Sequence, residues 1–347
     1  MANAFDKLIY DAAQAARVSW FFGQKLLAAR LSKPLPLPET LKGRAMPDRR
    51  RILGDLRKLL EQDWRNIEAG LYAAPEEWRG NPVAGLREAA DFFADLGAVE
   101  ARRHGSRADS LLTHPEAVRY PAYYRRNFHF QSDGYLSLAS AARYDHQVEV
   151  LFGGGAAAMR RQALVPLREA LLAAEGGVRR ARLVDIACGT GAFLAEVKRN
   201  YPRLSVTGID LSAPYLNVAR RRLAAWSRAA FVEANAECLP FADASVDIVT
   251  CVYLFHELPR RARRAVAGEI RRVLKPGGRF IYIDSLQTGD EPDYDAMLDW
   301  FPAAFHEPYY ASYLREDLTR LFGPELRAIA AIPAYFSKVL SYRREAA

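Results

Sequence analysis

The sequence predicts an α/β protein, an all-helical domain over residues 1–145 followed over residues 146–347 by an open, mainly parallel sheet wound with helices. Three observations lead there. The stretch LVDIACGTGAFLAEV, Leu183 to Val197, runs an apolar strand through a loop of small residues into a helical pattern. After it, short apolar runs alternate with helical stretches. Before it, Ile52, Leu56, Leu59, Leu60, Trp64, Ile67 and Leu71 recur at spacings of three and four, which marks a helix with one buried stripe.

Taken in order, FDKLIYDAAQAARVSWFFGQKLLAARL and GLREAADFFADLGAV share that helical periodicity, and KPLPLPE between the first two helices reads as a stiff connector. The first strand of the sheet ends at Asp185. The loop beyond it carries Ala187, Gly189 and Gly191, where backbone must come close to a ligand and a side chain would block the approach. A helix ending near Asn200 leads to RLSVTGID, a second strand that stops at Asp210, nineteen residues past Gly191. A carboxylate there can accept both ribose hydroxyls of a nucleoside, although it could also cap the helix LSAPYLNVARRRL. FVEANAECLPF places Asn235, Ala236 and Glu237 after a third strand; SVDIVTCVYLFHEL reads as strand four, and VLKPGGRFIYID as a helix end, a turn and strand five.

A dinucleotide fingerprint would need a third glycine where Leu194 stands, which counts against a pyrophosphate at this loop. The arrangement Asp185-x-Ala187-x-Gly189-x-Gly191 resembles instead motif I of the class I S-adenosylmethionine methyltransferases, with Ala187 at a position commonly glycine. Asn235-Ala236-Glu237 resembles that family's adenine-binding Asp-Ala-Glu segment; the Asn235 amide oxygen can still accept from an exocyclic amine. RAIAAIPAY and FSKVLSYRR look like its closing antiparallel pair. The resemblance covers roughly residues 180 to 345 and is strongest to the ubiquinone/menaquinone-biosynthesis C-methyltransferase-like group. It implies a Rossmann-like seven-stranded class I core and S-adenosyl-L-methionine as cofactor. Asp185, Ala187, Gly189 and Gly191 would surround the methionine part, and Asp210 with Leu211 the ribose. Asn235 and Ala236 would meet the adenine, and the backbone near Val252 the methionyl amino group. Tyr144, in ARYDHQ, matches a Tyr-Asp pair that lies near the cofactor in several quinone-type members.

Composition bounds the rest. At 347 residues, with 50% hydrophobic and 26% charged residues, the chain is that of a globular protein of two domains. No run reads as a signal peptide or reaches the length of a bilayer span, and Cys188, Cys238 and Cys251 show neither metal-ligand spacing nor a disulfide framework. A cytoplasmic protein without a bound metal is the expectation. The net charge of +8 comes largely from arginines scattered over helices such as PRRARRAVAGEIRRVL, where solvated faces explain it, so nucleic acid is not expected as a partner. The chain has YLFHEL where methyltransferases of base amino groups carry an Asn/Asp-Pro-Pro-aromatic loop.

Two aromatic clusters suggest where an acceptor binds. Arg119 to Ser137 holds Tyr120, Tyr124, His129 and Tyr135 beside Arg125 and Arg126, and Phe301 to Tyr313 holds His306, Tyr309 and Tyr310; His146 lies between the first cluster and the core. Folded over the strand ends they would line an apolar pocket with few polar groups, or else only join the two domains. The helical domain is expected to roof that pocket, to form a homodimer, or merely to pack. The sulfonium methyl is already activated, so a base is needed only for a hydroxyl or an acidic carbon. His256, after strand four, is the candidate base, with Glu257 orienting the imidazole or capping the next helix. The expected activity is methyl transfer to a small-molecule acceptor at carbon or oxygen. The alternatives are methylation of a small sulfur-containing acid gripped by Arg125 and Arg126, and a cofactor-binding partner protein without turnover.

Overall fold

The computed structural model describes residues 3–76, 82–105, 111 and 115–346. Three long helices open the chain: α1 (Ala4–Leu31), α2 (Arg49–Glu68) and α3 (Pro82–His104). Asn3 and Asp6 close a capping box at the start of α1, and Asp48 caps α2. The stripe on α2 is buried at Leu56, Leu59, Trp64 and Ile67, as its periodicity predicts, but the same face also buries Asp63 and Asn66. Asp63 accepts from the Tyr10 and Tyr72 hydroxyls, both at 2.7 Å, and forms a 2.7 Å ion pair with Arg161 in which neither side chain is exposed.

An irregular aromatic segment leads to α4 (Leu138–Leu151), which runs through residues 145 and 146, where the two domains were expected to meet. Helices α5 (Ala156–Arg161), α6 (Leu164–Ala173) and α7 (Gly177–Arg180) follow. The sheet then alternates β1 (Arg182–Ile186), α8 (Ala192–Asn200), β2 (Ser205–Asp210), α9 (Ala213–Arg222), β3 (Ala229–Glu233), β4 (Val246–Val252), α10 (Arg260–Val273) and β5 (Leu274–Ser285). After α11 (Asp295–Phe305), α12 (Tyr310–Tyr313) and α13 (Leu318–Phe322), β6 (Leu326–Ala334) and β7 (Ser337–Arg344) complete it.

The strand order is β3-β2-β1-β4-β5-β7-β6. The first five strands are parallel, and β7 joins antiparallel to both β5 and β6, as expected of the closing pair. Alternation along β1 divides the core. Leu183 faces a cluster that also contains Leu56, Trp64 and Ile67 of the helical part, whereas Val184 and Ile186 face a second cluster with Val266 and Ile270 of α10. The helical segment is therefore continuous with the apolar layer on one face of the sheet. The chain reverses direction across the sheet between β1 and β4. In open parallel sheets that reversal leaves a crevice outside the carboxyl ends of the strands.

Among the described residues no helix is long and apolar enough to cross a membrane. The basic helix α10 and its flanks are extensively paired, Arg263 with Glu316, Arg271 with Glu325, and Arg272 with Asp243 and Glu269.

Candidate active site

The crevice at the β1/β4 reversal is a cleft of about 710 Å³. Its floor is the loop after β1. Ala187 and Gly189 line it, and a methyl group added to Gly189 would meet nothing closer than Tyr215 at 4.0 Å, so the loop leaves its front open. Asp185 does not reach the cleft: it is buried under the loop, accepts from the Thr250 hydroxyl at 2.6 Å, and burial pushes its carboxyl up to about 7. Gly191 starts α8 with φ +73° and is packed against Ala219 and Leu223, so its part is to bring α8 close to α9.

Asp210, at the end of β2, lines the cleft and has 9% of its surface exposed. One carboxylate oxygen accepts from the Gly189 amide and the other from the Ser212 amide, both at 2.8 Å. An ionised carboxylate has about four acceptor sites, and with the Leu211 amide also donating to it one remains for a ligand. Burial outweighs those amides and raises the group to about 6. Leu211, Asn235, Ala236, Val252 and Tyr144 line the same cleft. The Asn235 amide oxygen is already engaged by the Glu237 amide at 2.9 Å, which folds the segment after β3 into a local turn and leaves one lone pair. Asp145, beside Tyr144, ties the glycine loop to α9 by accepting from Thr190 at 2.8 Å and Arg222 at 2.5 Å.

Next to this cleft lies an apolar cavity of about 280 Å³ that shares Tyr144, Tyr253 and Glu257 with it. Its walls combine Val148, Leu151 and Phe152 from α4 and its end with Met297, Trp300, Phe301 and Tyr310 from the segment after β5. A second cavity of about 350 Å³ reaches outward between α1, α3 and α4 and shares Lys25, His129, Tyr144, Val148, Leu151, Trp300 and Phe305 with the first.

His256 lines the apolar cavity from the turn after β4. Its Nδ1 lies 2.5 Å from Asp284 Oδ1, while the other Asp284 oxygen accepts from the Phe255 amide at 2.8 Å. Asp284, not Glu257, orients the ring. Glu257 accepts from the Tyr135 hydroxyl at 2.6 Å, and its carboxylate stays 3.9 Å from His256 Nε2. Burial pulls the imidazole down, but the Asp284 charge and hydrogen bond outweigh it and lift His256 to about 9.

The aromatic residues separate by place. Tyr124 and Tyr135 line the cofactor-side cleft, and His129 and Tyr310 the apolar cavity. Tyr120 is buried against Tyr124, with ring centroids 5.5 Å apart, and Tyr309 packs beside the Phe128, Tyr135 and Tyr215 cluster. His306 ends α11 in a left-handed conformation with its ring 5.3 Å from Phe130. His146 is buried among the helices, 2.8 Å from Gln24 Oε1 and in edge contact with Phe21. None of Tyr120, His146, His306 and Tyr309 lines the cleft or either cavity, nor do Arg125 and Arg126. For these residues aromatic density reported packing. Tyr253, Asp284 and Glu307 escaped the sequence reading; an acid closing strand five, beside the strand that carries His256, was the one available signal.

Residues 183–278 match a family model described as a methyltransferase domain. Over 203 residues, 57% of this chain, the sequence is 35% identical to the ubiquinone/menaquinone biosynthesis C-methyltransferase UbiE of Desulfotalea psychrophila, and the match covers 71% of that protein. It is 34% identical over 128 residues to the fatty-acid O-methyltransferase of Mycolicibacterium smegmatis, covering 36% of this chain and 45% of the relative. Apart from the 71% match, the chain spans about half the length of most curated relatives it resembles. The N-methyltransferase NodS from Bradyrhizobium japonicum, solved with S-adenosyl-l-homocysteine, is similar over 53% of this chain and 86% of that one, with 16% identity and a TM-score of 0.40.

Proposed function

This chain belongs to the class I S-adenosylmethionine-dependent methyltransferases with a UbiE-like core, and from that premise we propose that it methylates an oxygen or acidic carbon of an elongated, apolar small molecule. The cofactor supplies a methyl group already activated on a sulfonium. The residues present fit it: Asp210 keeps an unfilled acceptor position for a ribose hydroxyl, and the loop at Ala187 and Gly189 leaves room for the chain beside it. Asn235 and Ala236 close the adenine end, and Val252 the amino-acid end.

The observation that carries the proposal is the His256–Asp284 pair, standing in the wall of an apolar cavity that shares Tyr144, Tyr253 and Glu257 with the cofactor cleft. Asp284 holds Nδ1, so in the neutral imidazole Nε2 is the nitrogen left to take a proton from an acceptor hydroxyl or acidic carbon; with the group lifted to about 9, that neutral form, and base-assisted turnover with it, grows as pH rises toward 9. Tyr310, Phe301 and Trp300 exclude water and hold the acceptor toward the cleft. The helical segment supplies the opposite wall through Lys25, Ile52 and Leu151, which is the pocket-roofing role. The two cavities share a wall, an arrangement suited to an apolar chain such as the one named in the fatty-acid O-methyltransferase relative.

Transfer of radiolabelled methyl to candidate acceptors tests this. His256→Ala is expected to lower kcat about 10²–10⁴-fold with cofactor affinity unchanged. A thioether acceptor needs no base, so full activity in His256→Ala would overturn the oxygen or carbon assignment and favour sulfur.

A further inference from the structure

One histidine and two glutamates from three separate turns converge beside the apolar cavity. His129 comes from the turn Phe128–Phe130, Glu257 from the turn after β4, and Glu307 from the turn after α11. His129 Nε2 is 3.2 Å from Glu307 Oε1, and one ligating atom from each of the three residues lies within 4.8 Å of the others.

Glu307 has no exposed surface, and neither of its carboxylate oxygens has a hydrogen-bond partner. Ionised there, with only the His129 ring at 3.2 Å, the carboxylate would cost several kcal/mol, and burial accordingly holds the group well above the usual carboxylate range. His129 sits at φ 54°, ψ 23°, and Phe130 follows at φ 57°, left-handed conformations that cost an L-residue about 1–2 kcal/mol each. Strain of that kind persists where the surroundings fix it and collects at ligand sites. A cation between the three side chains would stabilise the ionised form of Glu307.

We propose that His129, Glu257 and Glu307 form a three-ligand site for a divalent transition-metal ion, with zinc the ion best suited to one imidazole nitrogen and two carboxylate oxygens. The two carboxylates balance its charge. Bonds of about 2.0–2.2 Å place ligand atoms roughly 3–4 Å apart around one ion, so side-chain adjustment of about 1 Å closes the shell. The fourth position faces the cavity that His129 and Glu257 line. Its use rests on the methyl-transfer reading: there the ion would hold an acceptor oxygen near His256 and favour its deprotonated form.

The test uses the full chain without a histidine tag, stripped with EDTA and titrated with zinc chloride by calorimetry, with metal content measured after gel filtration. About one tightly held zinc per chain and a rise in Tm on zinc addition are expected. In Glu307→Gln the affinity should fall at least about 100-fold. If that variant does not fold, cobalt(II) bound to the wild type gives a second readout: visible absorption of a four- or five-coordinate ion, altered in His129→Gln. Zinc bound no more tightly by wild type than by Glu307→Gln, or cobalt absorption unchanged in His129→Gln, overturns the site and leaves a neutral Glu307 acid hydrogen-bonded to His129. None of these readouts requires turnover, so failure of the metal site and failure of the methyl-transfer reading are distinguishable.

Discussion

Asp210 couples the cofactor cleft to pH. Burial raises its carboxyl to about 6 from the ordinary 3.8, and a ribose diol donates more strongly to the ionised form than to the neutral acid. Because the folded-state value is raised, fold stability is lost as pH rises from about 3.8 through about 6, whereas the ionised group binds the diol best, so cofactor affinity is full above about 6 and falls below it. Calorimetry with S-adenosylmethionine should give a constant Kd between about pH 7 and 8, weakening toward tenfold per unit below about 6. In Asp210→Asn the Kd should be weaker throughout and flat with pH; the same slope in that variant would show that another group titrates. The residues of this cleft were legible in the sequence because Ala187, Gly189, Asp210, Asn235 and Val252 each stand at or just past the end of a strand, where chain order and space agree. Asp284 was not, because its work is done through a contact with a residue 28 positions away. Glu307 is a single acid whose burial only the tertiary packing creates.

At the scale of elements, the turn from β1 into α8 departs from its family pattern at Ala187. The difference from glycine is more than a methyl group, because Ala187 sits at φ 55°, in the left-handed region. An L-residue there costs about 1–2 kcal/mol, and glycine removes that cost while adding about 0.5–1 kcal/mol of unfolded-state entropy. Ala187→Gly should therefore stabilise the protein by roughly 0.5–1 kcal/mol, a rise in Tm of about 1–3 °C, with cofactor affinity little changed. An unchanged or lower Tm in a thermal melt would mean that the loop does not store this strain. The long helices α1–α3 and strands β1, β2, β4 and β5 were readable from local apolar patterns, whereas β6 and β7 were read by resemblance and α5–α7 and α11–α13 were not read. The same periodicity placed the α2 stripe correctly yet gave no sign of Asp63 on it, since the Arg161 partner that makes its burial tolerable lies 98 residues away.

For the whole molecule, the helical segment and the sheet share one apolar layer, and both cavities are lined by residues of α1 and α4 together with residues of α11, a packing that no local pattern specifies. Leu151, at the end of α4, lines both cavities and so stands where an elongated acceptor would pass from one to the other. A tryptophan there grows partly into open volume, so its stability cost should sit near or below the low end of the 1–3 kcal/mol typical of overpacking. Leu151→Trp should leave the Kd for S-adenosylmethionine unchanged, because the residue does not line the cofactor cleft. It should raise KM for acceptors with long apolar chains at least about tenfold, roughly the 1.4 kcal/mol of one or two displaced methylenes, while short aromatic or short-chain acceptors keep theirs. Steady-state kinetics across a series of chain lengths reads this directly. An equal loss for short and long acceptors would place the substitution against the reacting centre, and no loss for either would mean that the acceptor does not extend past Leu151 and that the outer cavity serves another purpose.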